Sequence, residues 1–261
     1  MKKLFGLGVV ALAAALVAGN AGNASAQSGQ VKCEQNAAKS VAKFAGAKVG
    51  CRNKCWAGMR KGDATRECDP AGGVDATTQA CITAVENKAV AASVKKCAAP
   101  NCPACYSGGD CNADAADKVN TAENLVDTQD NGGPGTVHCS GGTQDKAHGA
   151  CQDNTGKVLT KLVAALGKCT AKCVSNEAKG SAAPGSCAPP ASDPGAQACI
   201  SAAMGKCGPA VDKKCGASAP TCWSAPFNNG AGWCGLVKGI VDAQYNDYYC
   251  APNSPSGAFL D

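Results

Sequence analysis

Residues 33–55 read CEQNAAKSVAKFAGAKVGCRNKC, and residues 151–173 read CQDNTGKVLTKLVAALGKCTAKC. Both stretches carry the spacing Cys-x17-Cys-x3-Cys, and they lie 118 residues apart. The register extends beyond them. Cys33, Cys51, Cys55, Cys81 and Cys97 recur as Cys151, Cys169, Cys173, Cys199 and Cys215, while the counterpart of Cys68, Cys187, is displaced by one residue. A fixed register of this kind marks an internal repeat.

Within the first stretch, Cys33, Ala37, Val41, Phe44, Lys48, Cys51 and Cys55 follow steps of four and three. That is one stripe of an α-helix, and the spacing predicts a helix over residues 32–61. The second stretch repeats the stripe as Cys151, Thr155, Leu159, Leu162, Leu166, Cys169 and Cys173, with Leu166 in place of Lys48. Cysteines on the apolar stripe point toward a partner element, where bridging cysteines belong.

Turn-rich loops follow, at 62–74 and 180–192, each with a Gly/Pro cluster that ends the helix. Asp75 and Asp193 then occupy equivalent positions as N-caps of a second helix. Pro194 suits the first helical position. Gln79-Ala80-Cys81-Ile82 matches Gln197-Ala198-Cys199-Ile200, and both copies finish in Lys-Lys-Cys, at Cys97 and Cys215. Gly208-Pro209 predicts a break or kink in the second copy.

Each copy therefore reads as an antiparallel helical hairpin. Pairing is not deducible from sequence alone, but helix lengths favour one scheme. Cys33 to Cys51 spans about 27 Å of helix and Cys81 to Cys97 about 24 Å. The nested pairs Cys33–Cys97 and Cys51–Cys81 fit these lengths, with Cys55–Cys68 stapling the loop. The second copy gives Cys151–Cys215, Cys169–Cys199 and Cys173–Cys187. One conflict stands: sixteen residues is about 4.4 turns, which rotates Cys97 off the face of Cys81. Either the helix end is frayed or kinked, or the pairing is another one.

The connectors add Cys102, Cys105, Cys111 and Cys139 to the first half, and Cys207, Cys222, Cys234 and Cys250 to the second. Ten cysteines on each side predict two self-contained units. Further helices are expected over 112–128 and 234–249.

The N-terminus has the form of a secretory signal peptide over residues 1–26. Lys2 and Lys3 precede an apolar run from Leu7 to Ala18, and Ala24-Ser25-Ala26 is a small-residue cleavage site. The run is too short for a convincing membrane span. The expected organisation is thus 1–26 signal peptide, 27–140 cysteine-rich unit one and 141–261 cysteine-rich unit two. The expected location is periplasmic or secreted, where disulfides form.

With 20 cysteines but only 4 Phe, 3 Trp and 4 Tyr, cross-links must supply stability that a thin apolar core cannot. The net charge of +5, or +3 without Lys2 and Lys3, is too mild to point to nucleic acid.

Several residues are candidates for chemistry. Cys102-Pro103-Ala104-Cys105 has thiol-redox spacing, but Ser107-Gly108-Gly109 follows where a thiol-activating helix would start. Cys51/Cys55 and Cys169/Cys173 place two sulfurs on one helical face, a copper or zinc pattern if reduced. His138-Cys139 and His148-x2-Cys151 read as surface histidines first and metal ligands second. Asp127-x-Gln129-x-Asn131-Gly132 resembles half a calcium loop, but its twelfth position is His138 rather than Glu. Lys39, Lys43, Lys54 and Lys61, and Lys157, Lys161, Lys168, Lys172 and Lys179, read as solvated helix faces first and as contacts for anionic glycan or lipid headgroups second. Trp223, Phe227, Trp233, Tyr245, Tyr248 and Tyr249 read as a satellite core around the C-terminal cysteines.

No hydrolase, metalloprotease or phosphate-loop motif is present. The sequence predicts an all-α, disulfide-stapled, exported structural or binding protein that needs no cofactor. The sequence identifies no partner; a protein or a cell-surface polymer is a candidate, and neither nucleic acid nor a membrane span is expected. A thiol-based metal-binding protein and a Cys102/Cys105 redox protein are the alternatives.

Overall fold

A computed structural model of the chain describes residues 7–63, 67–68, 73–106, 109–127, 137–139, 145–223 and 227–250. Side chains are described from Gly29 onward, except at 124, 125, 127 and 217. The fold is all-helical, with no strand among the described residues. Its helices are α1 (Leu7–Met59), α2 (Ala76–Ser93), α3 (Cys111–Asp127), α4 (Lys146–Ala178), α5 (Pro194–Cys215), α6 (Gly230–Ala243) and α7 (Tyr245–Tyr248). Among the described residues, no helix is long and apolar enough to cross a membrane.

The stripes read from sequence are the buried faces of α1 and α4. All seven residues of each stripe are buried, Lys48 included. Lys48 tolerates this because its ammonium meets Glu123 of α3. An unpaired charge there would be strongly unfavourable. α1 is longer than the 32–61 helix, starting at Leu7 and so continuing from the stretch read as a targeting segment. It stops at Met59, and Gly62 just beyond takes φ 90°, a conformation that glycine adopts without strain.

Short polar side chains start the helices. Asp75 accepts the Thr78 N–H at 3.0 Å and Asp193 accepts the Ala196 N–H at 2.7 Å. Asp145 accepts two N–H groups of α4, both at 2.8 Å. Each cap satisfies orphan donors of the first turn.

Cys33 is bonded to Cys97 and Cys51 to Cys81, so α2 runs antiparallel to α1. Cys151–Cys215 and Cys169–Cys199 do the same for α5 against α4. Cys55–Cys68 and Cys173–Cys187 close the loops. Cα–Cα distances repeat closely: 4.7 and 4.6 Å, 5.9 and 5.7 Å, 5.7 and 5.6 Å.

α2 stops at Ser93, and Val94–Lys96 is a 3-10 turn. The equivalent pairs Cys169–Cys199 and Cys151–Cys215 form from α5, which stays α-helical through Cys215, so the offset of Cys97 from the face of Cys81 is accommodated without a frayed helix end. The expected break at Gly208-Pro209 is corrected: α5 continues through Pro209 to Cys215. Bridges at Cys199, Cys207 and Cys215 hold the helix on both sides of the proline.

α1 and α4 cross antiparallel. The Gln35 amide donates to Ala171 O at 2.7 Å, and the Asn53 amide donates to Asp153 O at 3.3 Å. In the 118-residue register, Gln35 is equivalent to Asp153 and Asn53 to Ala171. The two contacts therefore interchange, as they would about a two-fold axis.

The expectation of ten cysteines bridged within each half does not hold. Cys105 is bonded to Cys250, and Cys139 to Cys222. Each half's connector is tied to the other half's tail. Beside these bridges, Tyr106 Oη donates to Tyr248 O at 2.5 Å and Trp223 Nε1 donates to Val137 O at 3.0 Å. Glu34 accepts from the Cys250 N–H at 3.3 Å, while its equivalent, Gln152, donates to Cys139 Sγ at 3.0 Å. Three kinds of contact obey the same exchange.

The core follows. One cluster joins Val41 and Phe44 of α1 to Val119 of α3, Val174 of α4, and Tyr245, Tyr248 and Tyr249. A second joins Leu159, Leu162 and Leu166 of α4 to Val211, Trp223, Trp233 and Val237. The C-terminal aromatics are buried as expected, Phe227 only partly, but they are shared between these two clusters rather than forming one satellite.

Candidate ligand groove

The 118-residue register also runs through α3 and α6: Val119 and Val237, both buried, are equivalent. These helices flank the α1–α4 crossing, and between them lies a groove with a cavity of about 80 Å³. Ala38, Ala42 and Ala45 of α1 form one wall, and Val163, Leu166 and Gly167 of α4 another. Ala122 and Val126 of α3 face Ile240 of α6 and Gln244. Three lining pairs lie 118 residues apart: Ala45/Val163, Ala122/Ile240 and Val126/Gln244. The groove thus draws on matching positions of the 118-residue register.

It stays open because small residues line it. A Cβ at Gly167 would meet nothing within 4 Å. The equivalent position in the first half is Val49, which is buried and packs with Ala45 and Val126.

Tyr245, Tyr248 and Tyr249 also line it. The hydroxyls of Tyr248 and Tyr249 and the amide nitrogen of Gln244 are shut off from water without hydrogen-bond partners. Burial pushes all three tyrosine pKa values up, so these phenols remain donors.

Behind the tyrosines lies a buried polar group. Glu34 is fully buried, and burial raises its pKa to about 8, partly offset by the Cys250 N–H and by Lys118. Lys118 pairs with Asp114 at 2.7 Å, donates to Asp247 O, and sits 3.8 Å from the Tyr106 ring centroid.

A second polar node joins the halves. His138 stacks on Trp56 at 5.3 Å with rings 7° apart. Its Nε2–H donates to Asp153 at 2.9 Å, and Asp153 also takes Arg60 at 2.6 Å. Burial lowers the His138 pKa, opposed by Asp153. The reading of His138 as a surface residue is therefore corrected: its side chain is only 2% exposed. Gly149 lets Arg60 approach, since a Cβ there would lie 2.4 Å from Arg60 Cδ. His148 is half-exposed beside Asp145 at 3.0 Å.

Cys102 and Cys105 are not bonded to each other: Cys102 is bonded to Cys111. Cys51 and Cys55, and Cys169 and Cys173, likewise go to separate bridges. Three-residue groups such as Cys33, Cys97 and Cys111 come close enough to surround an ion. Their sulfurs are nevertheless in disulfides, and thiolates are what bind soft metals. Gln129 and Asn131 of the half calcium loop lie outside the described residues. The nine lysines of the two faces are all exposed.

The sequence reading missed the groove and the crosswise bridges. The aromatic residue after each connector cysteine, Cys105-Tyr106 and Cys222-Trp223, was a usable signal of the second. Compared with family models, curated proteins and solved structures, the chain matches none.

Proposed function

We propose that this chain is an exported, non-catalytic, cysteine-rich binding protein. It consists of two tandem disulfide-stapled antiparallel helical-hairpin units, 27–140 and 141–261, locked to each other crosswise. The carrying observation is that all 20 cysteines are consumed in bridges, with none free. Such a set suits an oxidising compartment, periplasmic or extracellular. It supports a rigid scaffold over a thiolate metal store, because no sulfur is left ionisable. It also weighs against thiol exchange at Cys102 and Cys105, which hold two different partners. A scaffold of this kind acts by presenting preformed surfaces, at little conformational cost on binding.

A thiol count on the denatured, non-reduced protein tests the reading. No reactive thiol is expected; several per chain would overturn it in favour of metal binding.

A further inference from the structure

We infer that the seam between α1 and α4, on the side away from the groove, binds a linear acidic polysaccharide with an acid group on each sugar. This rests on the binding-protein reading and names the partner class.

The two crossing stretches expose nothing but lysine. Between Cys33 and Cys55 the exposed residues are Lys39, Lys43 and Lys54. Between Cys151 and Cys173 they are Lys157, Lys161, Lys168 and Lys172. A merely solvated helix face mixes both signs of charge. Here the carboxylates are engaged elsewhere: Glu34 is buried, and Asp153 holds Arg60 and His138. Among the described residues, no ion pair involves any of the seven lysines. The mature chain's net +3 is therefore these seven charges set against −4 elsewhere. A mild total conceals a strongly basic face.

Packing puts both rows on one side. α1 turns its buried stripe to α2, Gln35 and Asn53 to α4, and Ala38, Ala42 and Ala45 to the groove. Its lysines take the remaining flank. Lys157, Lys161 and Lys172 are the register equivalents of Lys39, Lys43 and Lys54. Because the α1–α4 contacts interchange, equivalent residues open on the same side.

The rows also interleave. Gln35, Gly46 and Asn53 lie level with Ala171, Thr160 and Asp153, so each step along α1 is one step back along α4. That register orders the lysines as two from α4, two from α1, two more from α4 and then Lys54. The run covers about 30 Å, with about 5 Å per charge. This spacing is comparable with the length of one sugar ring. Duplex DNA, with a charge every ~1.7 Å of axis, matches it less well. The one aromatic residue of the two stretches, Phe44, is buried, so no ring is offered for stacking on bases. Met59 is the only exposed large hydrophobic among the described residues, so the face has little to insert into a bilayer.

Fluorescence anisotropy with the mature, full-length, disulfide-intact protein tests this, using labelled oligogalacturonate as the probe. Unlabelled oligogalacturonate, neutral dextran, vesicles of phosphatidylglycerol and phosphatidylcholine, and duplex DNA serve as competitors. The oligogalacturonate is expected to bind, dextran not to compete, and log K to fall with log salt at a slope steeper than about −3. Changing the central four lysines together (Lys39→Gln, Lys43→Gln, Lys157→Gln, Lys161→Gln) should weaken binding at least about tenfold at low salt and flatten the slope by about 2 or more. These side chains are exposed and glutamine is as good a helix former, so folding should survive. The Lys39/Lys43 and Lys157/Lys161 double variants serve if it does not, each with a smaller loss. Lys95→Gln, Lys96→Gln, Lys213→Gln and Lys214→Gln together remove the same charge at the ends of the second helix of each hairpin, and should leave binding within about twofold of the parent. No binding of the probe at low salt, or an equal loss in the seam and control variants, would overturn the proposal. So would vesicles or duplex DNA competing better, charge for charge, than unlabelled oligogalacturonate. A parallel thiol count separates the two readings: zero thiols without polysaccharide binding sinks only this partner, whereas free thiols sink the scaffold.

Discussion

Replacing Glu34 by glutamine should remove most of the alkaline sensitivity of this fold. Glu34 is fully buried, with one carboxylate oxygen on the Cys250 N–H and the other without a partner. Burial raises its pKa from 4.5 to about 8. The folded state therefore holds a proton that the unfolded chain releases above pH 4.5. Stability is fully present below pH 4.5, falls as pH rises toward 8, and levels off above it. At 1.36 kcal/mol per pH unit, the 3.5-unit gap corresponds to about 5 kcal/mol. Gln152 occupies the equivalent site in the second half, also fully buried, and donates to Cys139. A neutral amide is thus already accommodated in this geometry. The assay is chemical denaturation of the disulfide-intact protein from pH 4 to 9, parent against Glu34→Gln. Subtraction cancels other titrating groups, among them Glu177 and Asp247, whose carboxyl pKa values burial also raises. The variant should match the parent near pH 4 and exceed it by up to about 5 kcal/mol at pH 8.5, or roughly 10–20 °C in Tm. A difference that stays constant across this range would refute the reasoning.

Removing both members of Cys105–Cys250 should cost about 4 kcal/mol, against about 3 kcal/mol for Cys55–Cys68, because with Cys139–Cys222 intact the first bridge closes a loop of about 62 residues and the second one of 13. Denaturation midpoints of the paired serine variants give the order. Burial keeps the His138 imidazole neutral, so its NMR titration midpoint should fall below 6.5, and stability should decline as pH drops below that value. A midpoint at or above 6.5 would contradict the buried stack on Trp56. Asp193→Ala, which removes the cap on Ala196, should cost about 1 kcal/mol in the same denaturation assay.

The helical class was legible because it is local. Seven stripe residues at helical spacing, a capping Asp and a Gly/Pro cluster each act within one or two turns. The apolar reading of Trp223 and Trp233 was legible too, as large rings seldom stay exposed. What escaped was non-local. Cysteine parity could not reveal the crosswise bridges, because exchanging Cys250 for Cys139 between halves leaves ten in each. His138 looked like a loop residue on the surface because the Trp56, Arg60 and Asp153 that bury it are distant in sequence. Lys48 looked like a flaw in an apolar stripe because Glu123 lies on another helix. The groove was invisible for a related reason. It exists through the missing side chain at Gly167, which is informative only beside its equivalent, Val49.

The crosswise lock is the central claim, and a disulfide map of the unreduced protein by mass spectrometry tests it most directly. Cross-linked peptides joining Cys105 to Cys250 and Cys139 to Cys222 are expected. Finding Cys105 joined to Cys139 and Cys222 to Cys250 would contradict it, because each half would then be closed on itself.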